Sequence, residues 1–310
     1  MKFIRPLFMV LAVFCGAAAV FHYVRNPEKS RLDDAARATA GGSFVTLSGG
    51  TTHYEVAGPD TGRVVLLVHG FSVPAYIWDS TFYSLSANGF RVIRYDLYGR
   101  GFSDRPNVAY DGAFYDAQVG ELLDSLRVTG PVDLFGLSFG GFVVAHFAST
   151  HPTRVRTLTL VDPVTAAGSV PTALKLPLVG AYLFQTLRVP YMAEGQPGDF
   201  LHPERFPGWA DRYRPQTRYR GFGRSLRSSL IHISHADFGA IYESVSSAGT
   251  PVLLVWGKQD PVVPIANAAI VTSAIPTTEF FAVDSAGHLP HLEQAQAVNA
   301  RLLAFLAAHP

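Results

Sequence analysis

Nineteen consecutive positions between Arg5 and Arg25 carry no Asp, Glu, Lys or Arg, and they include the apolar run 7–13 and the small-residue cluster 17–20. Wound as a helix rising about 1.5 Å per residue, the stretch reaches roughly 28 Å, close to the thickness of a bilayer's hydrocarbon layer. It reads as a membrane anchor or as a cleaved signal peptide. In the second case Lys2 and Arg5 form the basic end and residues 17–19 the cleavage site. Apolar character that continues through Val20, Phe21, Tyr23 and Val24 favours an uncleaved anchor and hence a membrane-attached protein. Cleavage would give a secreted or periplasmic one. Phe14 is too bulky to precede a lipid-modified Cys15. Lys2 and Arg5 on one side, with Arg25, Lys29, Arg31 and Arg37 on the other, leave the orientation open.

Residues 26–42 are polar, rich in Ala, Arg and Asp, and end in Gly41-Gly42, which predicts a tether or a loose helix. The folded body, 43–310, starts with runs 44–48 and 52–57 around Gly49-Gly50, the pattern of a β-hairpin. Short apolar runs then recur at 64–68, 91–95, 132–135, 158–161, 252–256 and 279–283, with helical stretches between them. Runs of that kind are expected of parallel strands covered on both faces, so the fold class is α/β with a doubly wound sheet. The alternation stops after Asp162. Residues from about 163 to 237 are rich in proline and aromatics, show helical patches such as 172–187, and contain no strong strand, which predicts a helical cap inserted over the sheet.

Composition narrows the function classes. With 48% hydrophobic and 16% charged residues the 310-residue chain can bury a large core. A formal charge of +1 gives no electrostatic reason to expect a nucleic-acid partner. The single cysteine lies in the leader, so the body has no intrachain disulfide, thiolate metal site or cysteine nucleophile.

Chemistry-bearing residues gather where strands end. Gly136-Leu137-Ser138-Phe139-Gly140 follows a strand and precedes the helical run 142–149. Such a junction lets a strained serine project its hydroxyl above the sheet, with glycines where side chains would collide with the neighbouring strand and helix. A serine hydroxyl needs a histidine to take its proton and a carboxylate to orient that histidine. His288, in a loop after the last strand, fits the first role, and Asp260, after the penultimate strand, fits the second. Asp162 is the second choice of acid, and Asp284 lies too close in sequence to His288. His291 falls on a first helical turn and reads as a cap or surface residue, while His69 reads as a scaffold residue bonded to backbone. Negative charge on a tetrahedral intermediate would be met by the N–H groups of Phe139 and of Phe71, in the Gly-containing loop after the run 64–68. Ser72 in the same loop receives no role.

These segments together resemble the α/β-hydrolase superfamily, in its capped serine-hydrolase branch of esterases, monoacylglycerol lipase-like enzymes and carbon–carbon bond hydrolases. The matching residues are His69-Gly70, the segment 96–103 (Asp-Leu-Tyr-Gly-Arg-Gly-Phe-Ser), the 136–140 elbow, the segment 257–260 and Gly287-His288. The resemblance runs from about residue 44 to the C-terminus and leaves out the leader, the tether and most of the cap. It implies an eight-stranded, mostly parallel sheet with helices on both faces. Serine at the elbow argues against the dehalogenase and epoxide-hydrolase chemistries, which use aspartate there. The expected activity is hydrolysis of carboxylic esters of lipophilic acyl groups through an acyl-enzyme, with no metal and no organic cofactor. Carbon–carbon bond hydrolysis or cofactor-free perhydrolysis by the same triad is the alternative, and a non-catalytic binding protein on the same fold the second. The expected partners are a small ester or lipid substrate and, through the leader, a membrane.

Within the cap, Arg205, Arg212, Arg214, Arg218, Arg220, Arg224 and Arg227 occur with a single acid, Asp211. The run predicts a solvated face, or a surface for anionic headgroups with Tyr213, Tyr219 and Phe222 at the interface. Leu174, Leu176, Leu178, Tyr182, Leu183 and Phe184 are apolar enough to roof an acyl pocket, and core packing accounts for the same residues equally well.

Overall fold

The computed structural model describes residues 4–166 and 168–310, with side chains from Met9 onward. Eight strands, β1 (Ser43–Leu47), β2 (Gly50–Ala57), β3 (Val64–Val68), β4 (Arg91–Tyr95), β5 (Val132–Leu137), β6 (Val155–Val161), β7 (Val252–Gly257) and β8 (Glu279–Val283), form one sheet in the order β1-β2-β4-β3-β5-β6-β7-β8. The β1–β2 hairpin and the β2–β4 pair are antiparallel, and every other pair is parallel. The order reverses at β3, so the loops after β3 and β5 face each other across the carboxyl edge of the sheet, where open α/β sheets place their sites.

The main helices are α1 (Ile4–Arg25), α2 (Asp79–Ala87), α3 (Gly112–Ser125), α4 (Phe139–Thr150), α5 (Pro177–Leu183), α6 (Phe222–Ile233), α7 (Phe238–Ser247), α8 (Ala268–Ala274) and α9 (Ala295–Ala308). Successive residues of β3 point to opposite faces. Leu66 and Val68 pack with residues of α3, α4, α7 and α8, whereas Val65 and Leu67 pack with residues of α2 and α9. Helices therefore cover both faces, as the resemblance implies.

The cap lies between β6 and β7. Helix was expected across 172–187, but the chain breaks there into a turn, Thr172–Lys175, then α5 and a π-helical turn, Phe184–Arg188. The break is at Leu176, held extended at ψ 128° because Pro177 follows it, and Pro177 opens α5. Cap residues Phe184, Met192, Phe200, Trp209, Tyr213 and Phe222 join the same apolar cluster as Val65 and Leu67. Tyr213 and Phe222 are thus fully buried, which corrects the expectation of an interfacial position for them. Five of the seven arginines of the run are engaged within the protein. Arg212 pairs with Asp79, Arg214 with Glu194, and Arg205, Arg224 and Arg227 donate to backbone carbonyls of Glu293, Arg105 and residues 174–176.

Residues 26–42, expected to be a tether, are pinned to the body. Ser30 exchanges backbone bonds with Arg218 and Arg220 at 2.9 Å. The buried Glu28 carboxylate accepts from the N–H groups of Gly221 and Gly223 at 2.6 and 2.8 Å, at the start of α6. Before this strap, α1 touches the cap with its last turns. Tyr182 donates to the Ala18 carbonyl, His22 bonds Thr186, and the Arg25 guanidinium lies 4.9 Å over the Tyr191 ring. Met9, Val10, Leu11, Val13 and Phe14 are all exposed. Among the described residues no helix is long and apolar enough to cross a membrane.

Candidate active site

Ser138 stands between the end of β5 and the start of α4 at φ +53°, ψ −115°, a conformation that costs a non-glycine residue about 1–3 kcal/mol. Its surroundings hold it there. The Ser138 N–H donates to the Val161 carbonyl, and its own carbonyl accepts from Gly141 and Val164. A Cβ on Gly136 would lie 2.4 Å from the Gly140 carbonyl oxygen, and one on Gly140 would lie 2.3 Å from that of Val68. The two glycines of the pentapeptide are therefore steric requirements of the turn, for the reason anticipated from the sequence.

His288 follows β8 in a loop held from two sides, with Gly287 N–H donating to Glu293 Oε2 at 2.6 Å and His288 N–H to the Asp199 carbonyl at 2.9 Å. Asp260 follows β7, and its Oδ1 accepts from the N–H groups of Val262 and Val263. The two side chains meet in a buried bond, His288 Nδ1 to Asp260 Oδ2, at 2.7 Å. Burial pushes the Asp260 carboxyl up, but the bond to His288 and the histidine's charge outweigh it and hold the group below its ordinary range. An ionised Asp260 can only accept, so Nδ1 carries a proton, and in the neutral imidazole Nε2 is the nitrogen with the lone pair. Ser138 and His288 line one cavity of about 170 Å³.

Asp162, the second choice of acid, lies beside this pair and does not replace Asp260. It is fully buried at the end of β6, Oδ1 accepts from Gly257 N–H at 2.9 Å, and Oδ2 has no hydrogen-bond partner among the described residues. Atoms of Asp162, Asp260 and His288 lie within 4.8 Å of one another, an arrangement that could in principle surround a cation. Asp260, however, already spends its two oxygens on backbone N–H groups and on the imidazole, the geometry of an orienting acid. Burial first, and the neighbouring Asp260 charge second, hold Asp162 protonated far above the usual carboxylate range. Asp284 is exposed and pairs with Lys258. His291 is not a surface residue. It is fully buried, its Nε2–H donates to the Ile77 carbonyl at 3.0 Å, its ring centroid lies 4.6 Å from that of Trp78, and burial pushes its pKa down to about 3. His69 is the scaffold residue expected, its Nδ1–H donating to the Gly70 carbonyl and its Nε2 accepting from Leu97 N–H.

The backbone N–H groups of Phe71 and Phe139 take no partner among the described residues. Both residues line a second, apolar arm of the site, about 340 Å³, that shares Ser138 and runs past Val164, Leu230 and Ile233 to Val170, Pro171 and Leu174. The first arm is more polar, with Ser72, Arg188, Gln196 and Asp199 among its walls. Burial, partly offset by His288, pushes Asp199 up to about 6. Another cavity, about 260 Å³ between Tyr76, Phe102, Tyr213 and Tyr219, touches none of Ser138, Asp260 and His288.

Two residues of the site carried no readable signal. Asp199 sits in an irregular part of the cap. Arg100 was visible only as one letter of the 96–103 segment, yet its fully buried guanidinium donates to the Phe71 carbonyl (2.8 Å), the Tyr98 carbonyl, the Tyr115 hydroxyl and the Ser229 hydroxyl. It fixes the backbone that presents Phe71 and ties the sheet to the cap.

A family model described as the alpha/beta hydrolase fold matches residues 63–295. A non-heme chloroperoxidase of Streptomyces lividans is 28% identical over 239 residues, 74% of this chain and 85% of its own. A pimeloyl-[acyl-carrier protein] methyl ester esterase of Neisseria meningitidis is 27% identical over 247 residues, 78% of this chain and 92% of its own. A thermophilic esterase from Thermogutta terrifontis superposes with a TM-score of 0.75 at 25% identity, over 87% of this chain and 100% of the esterase.

Proposed function

The chain belongs to the α/β-hydrolase family, and on that premise we propose that it cleaves carboxylic esters of lipophilic acyl groups through an acyl-enzyme intermediate. The observation that carries the reading is the buried 2.7 Å bond between His288 and Asp260, which leaves Nε2 free at the cavity that Ser138 shares. Ser138 Oγ attacks the ester carbonyl while His288 Nε2 takes its proton, and Asp260 stabilises the imidazolium. The oxyanion is met by the Phe71 and Phe139 N–H groups, worth a few kcal/mol each. His288 then protonates the leaving alcohol, and water, activated by the same nitrogen, releases the acid. The apolar arm supports a lipophilic acyl group, and the methyl ester esterase and the thermophilic esterase among the similar proteins support an ester.

The test is turnover of p-nitrophenyl esters by Ser138→Ala and His288→Ala, each expected to lower kcat by about 10⁵–10⁶ with circular dichroism unchanged. Retained activity in either variant overturns the assignment. Similarity to a chloroperoxidase supports a second reading, interception of the acyl-enzyme by hydrogen peroxide to give a peracid. Peracid formation from acetate and peroxide, absent in Ser138→Ala, would establish it.

The proposal includes attachment at a membrane through α1. It is supported by the uncharged tract 6–24 and by the exposed apolar side chains of that helix. The bond of Tyr182 to the Ala18 carbonyl, on the side that cleavage after residue 19 would remove, favours a retained segment over a cleaved one.

A further inference from the structure

Where α1 touches the cap fixes how much of it stands free. Tyr182 holds the Ala18 carbonyl, so residues 4–17 project beyond the body, about 21 Å of helix at ~1.5 Å per residue. The uncharged tract is longer, ending only at Arg25, and its last third lies against Tyr182, Thr186 and Tyr191 of the cap. A bilayer that takes up the whole tract must therefore reach the cap surface around those three residues.

That surface is apolar. Leu178, one turn before Tyr182 on α5, is 87% exposed, and Val179, Leu187 and Tyr191 are each about half exposed or more. On α1 every residue from Met9 through Leu11, Ala12, Val13 and Phe14 is exposed and apolar, and at about 100° per residue these six are spread around the whole circumference. A protein partner docked on one side would leave the other side in water, whereas lipid covers all of it. Tyr23, Tyr191, Arg25 and Lys29 stand at the end of the tract, where aromatic and basic side chains meet headgroups.

We infer that the cap face formed by Leu178, Val179, Leu187 and Tyr191 rests in the apolar layer of a lipid bilayer beside α1, and that the ester is taken from that bilayer. The second half rests on the proposed ester hydrolysis. The apolar arm leads from Ser138 to Val170, Pro171 and Leu174, and Leu174 belongs to the turn packed directly against α5. Gly168, Ser169 and Pro171, which also line that arm, are exposed. An acyl chain leaving lipid beside α5 thus has an apolar path to the nucleophile.

The full-length protein is mixed with phosphatidylcholine vesicles, with and without bromine on the acyl chains. The three native tryptophans, Trp78, Trp209 and Trp256, are buried, so Leu178→Trp reports the cap face. Its fluorescence is expected to fall about two-fold or more with bromolipid while that of the unsubstituted protein barely changes. No quenching, or a blue shift without quenching as a second copy or another protein surface would give, overturns the lipid contact. In parallel, Leu178→Glu/Val179→Glu is expected to hydrolyse p-nitrophenyl butyrate in solution unchanged and a long-chain ester held in vesicles about ten-fold more slowly. Equal rates on vesicle ester, or equal losses on both substrates, overturn delivery from the bilayer. If the unsubstituted protein hydrolyses neither ester, the hydrolase reading fails, and the quenching still decides the surface.

Discussion

The sheet edge and the cap build the two sides of one cavity by different means. At the sheet edge, Ser138, Asp260 and His288 each follow a strand, and main-chain hydrogen bonds and steric contacts fix the turn that carries each of them. The cap consists of short helices and turns whose apolar side chains join the core of the body. It is fastened by polar side chains, Glu28 to the start of α6, Arg227 to the Leu174 carbonyl and Arg100 to the Ser229 hydroxyl. Atoms that must be placed to a few tenths of an ångström sit where the main chain leaves one solution. The walls that select a substrate sit where clamps can change one at a time.

Substitutions should grade accordingly. Asp260→Asn keeps the shape of the site but lets the imidazole take the wrong tautomer, and kcat on p-nitrophenyl butyrate should fall about 10³–10⁴-fold. Near-normal activity would remove the contrast at its strongest point. Arg100→Gln, at the joint between the two regions, should lower kcat about ten- to a hundred-fold, because the Phe71 peptide loses its anchor, and should also lower the melting temperature. Glu28→Ala leaves two N–H groups without their buried acceptor, so equilibrium unfolding should show a loss of about 1–3 kcal/mol while kcat on a short soluble ester changes little. An equal loss of kcat would mean that the cap clamp reaches the chemistry.

The smallest effect is expected at Asp199, where the sign can be worked out. Its carboxyl ionises near 6 in the folded protein and at its ordinary value near 3.8 once unfolded. The folded state therefore holds more protons across that window, and stability is lost as pH rises from about 4 through 6. Asp199→Asn should raise the melting temperature by a few degrees at pH 8 and leave it unchanged at pH 3.5, by calorimetry at both pH values.

What the amino-acid pattern disclosed follows the same division. The bounds of β3, β4 and β8 coincide with runs readable in the sequence, and β3 shows why most plainly, since a strand covered by helices on both faces is continuous in Val and Leu. Ser138, Asp260 and His288 were findable because each follows such a run, and the structure brings the acid and the histidine into direct contact. The strap was misread as loose, since Glu28 finds its partners 193 and 195 residues away and nothing local announces them. His291 looked like a helix surface residue because Trp78, the ring that covers it, comes from another part of the chain. Tyr213 was misplaced because its five-residue helix is too short to show a period, whereas Phe222 heads the helical spacing of Phe222, Leu226 and Ile233 that marks the buried face of α6 and could have placed it.

The positive φ at Ser138 also limits which nucleophiles the elbow can exchange. Threonine carries the same hydroxyl, but its second branch at Cβ clashes with the backbone in that region of conformational space, so the nearest chemical relative of serine is sterically barred. Unbranched groups such as a thiol or a carboxylate meet no such bar. The turn screens the side chain at 138 by its shape before reactivity enters, and a substitution there can change the element or the charge of the terminal atom more easily than it can add one methyl group.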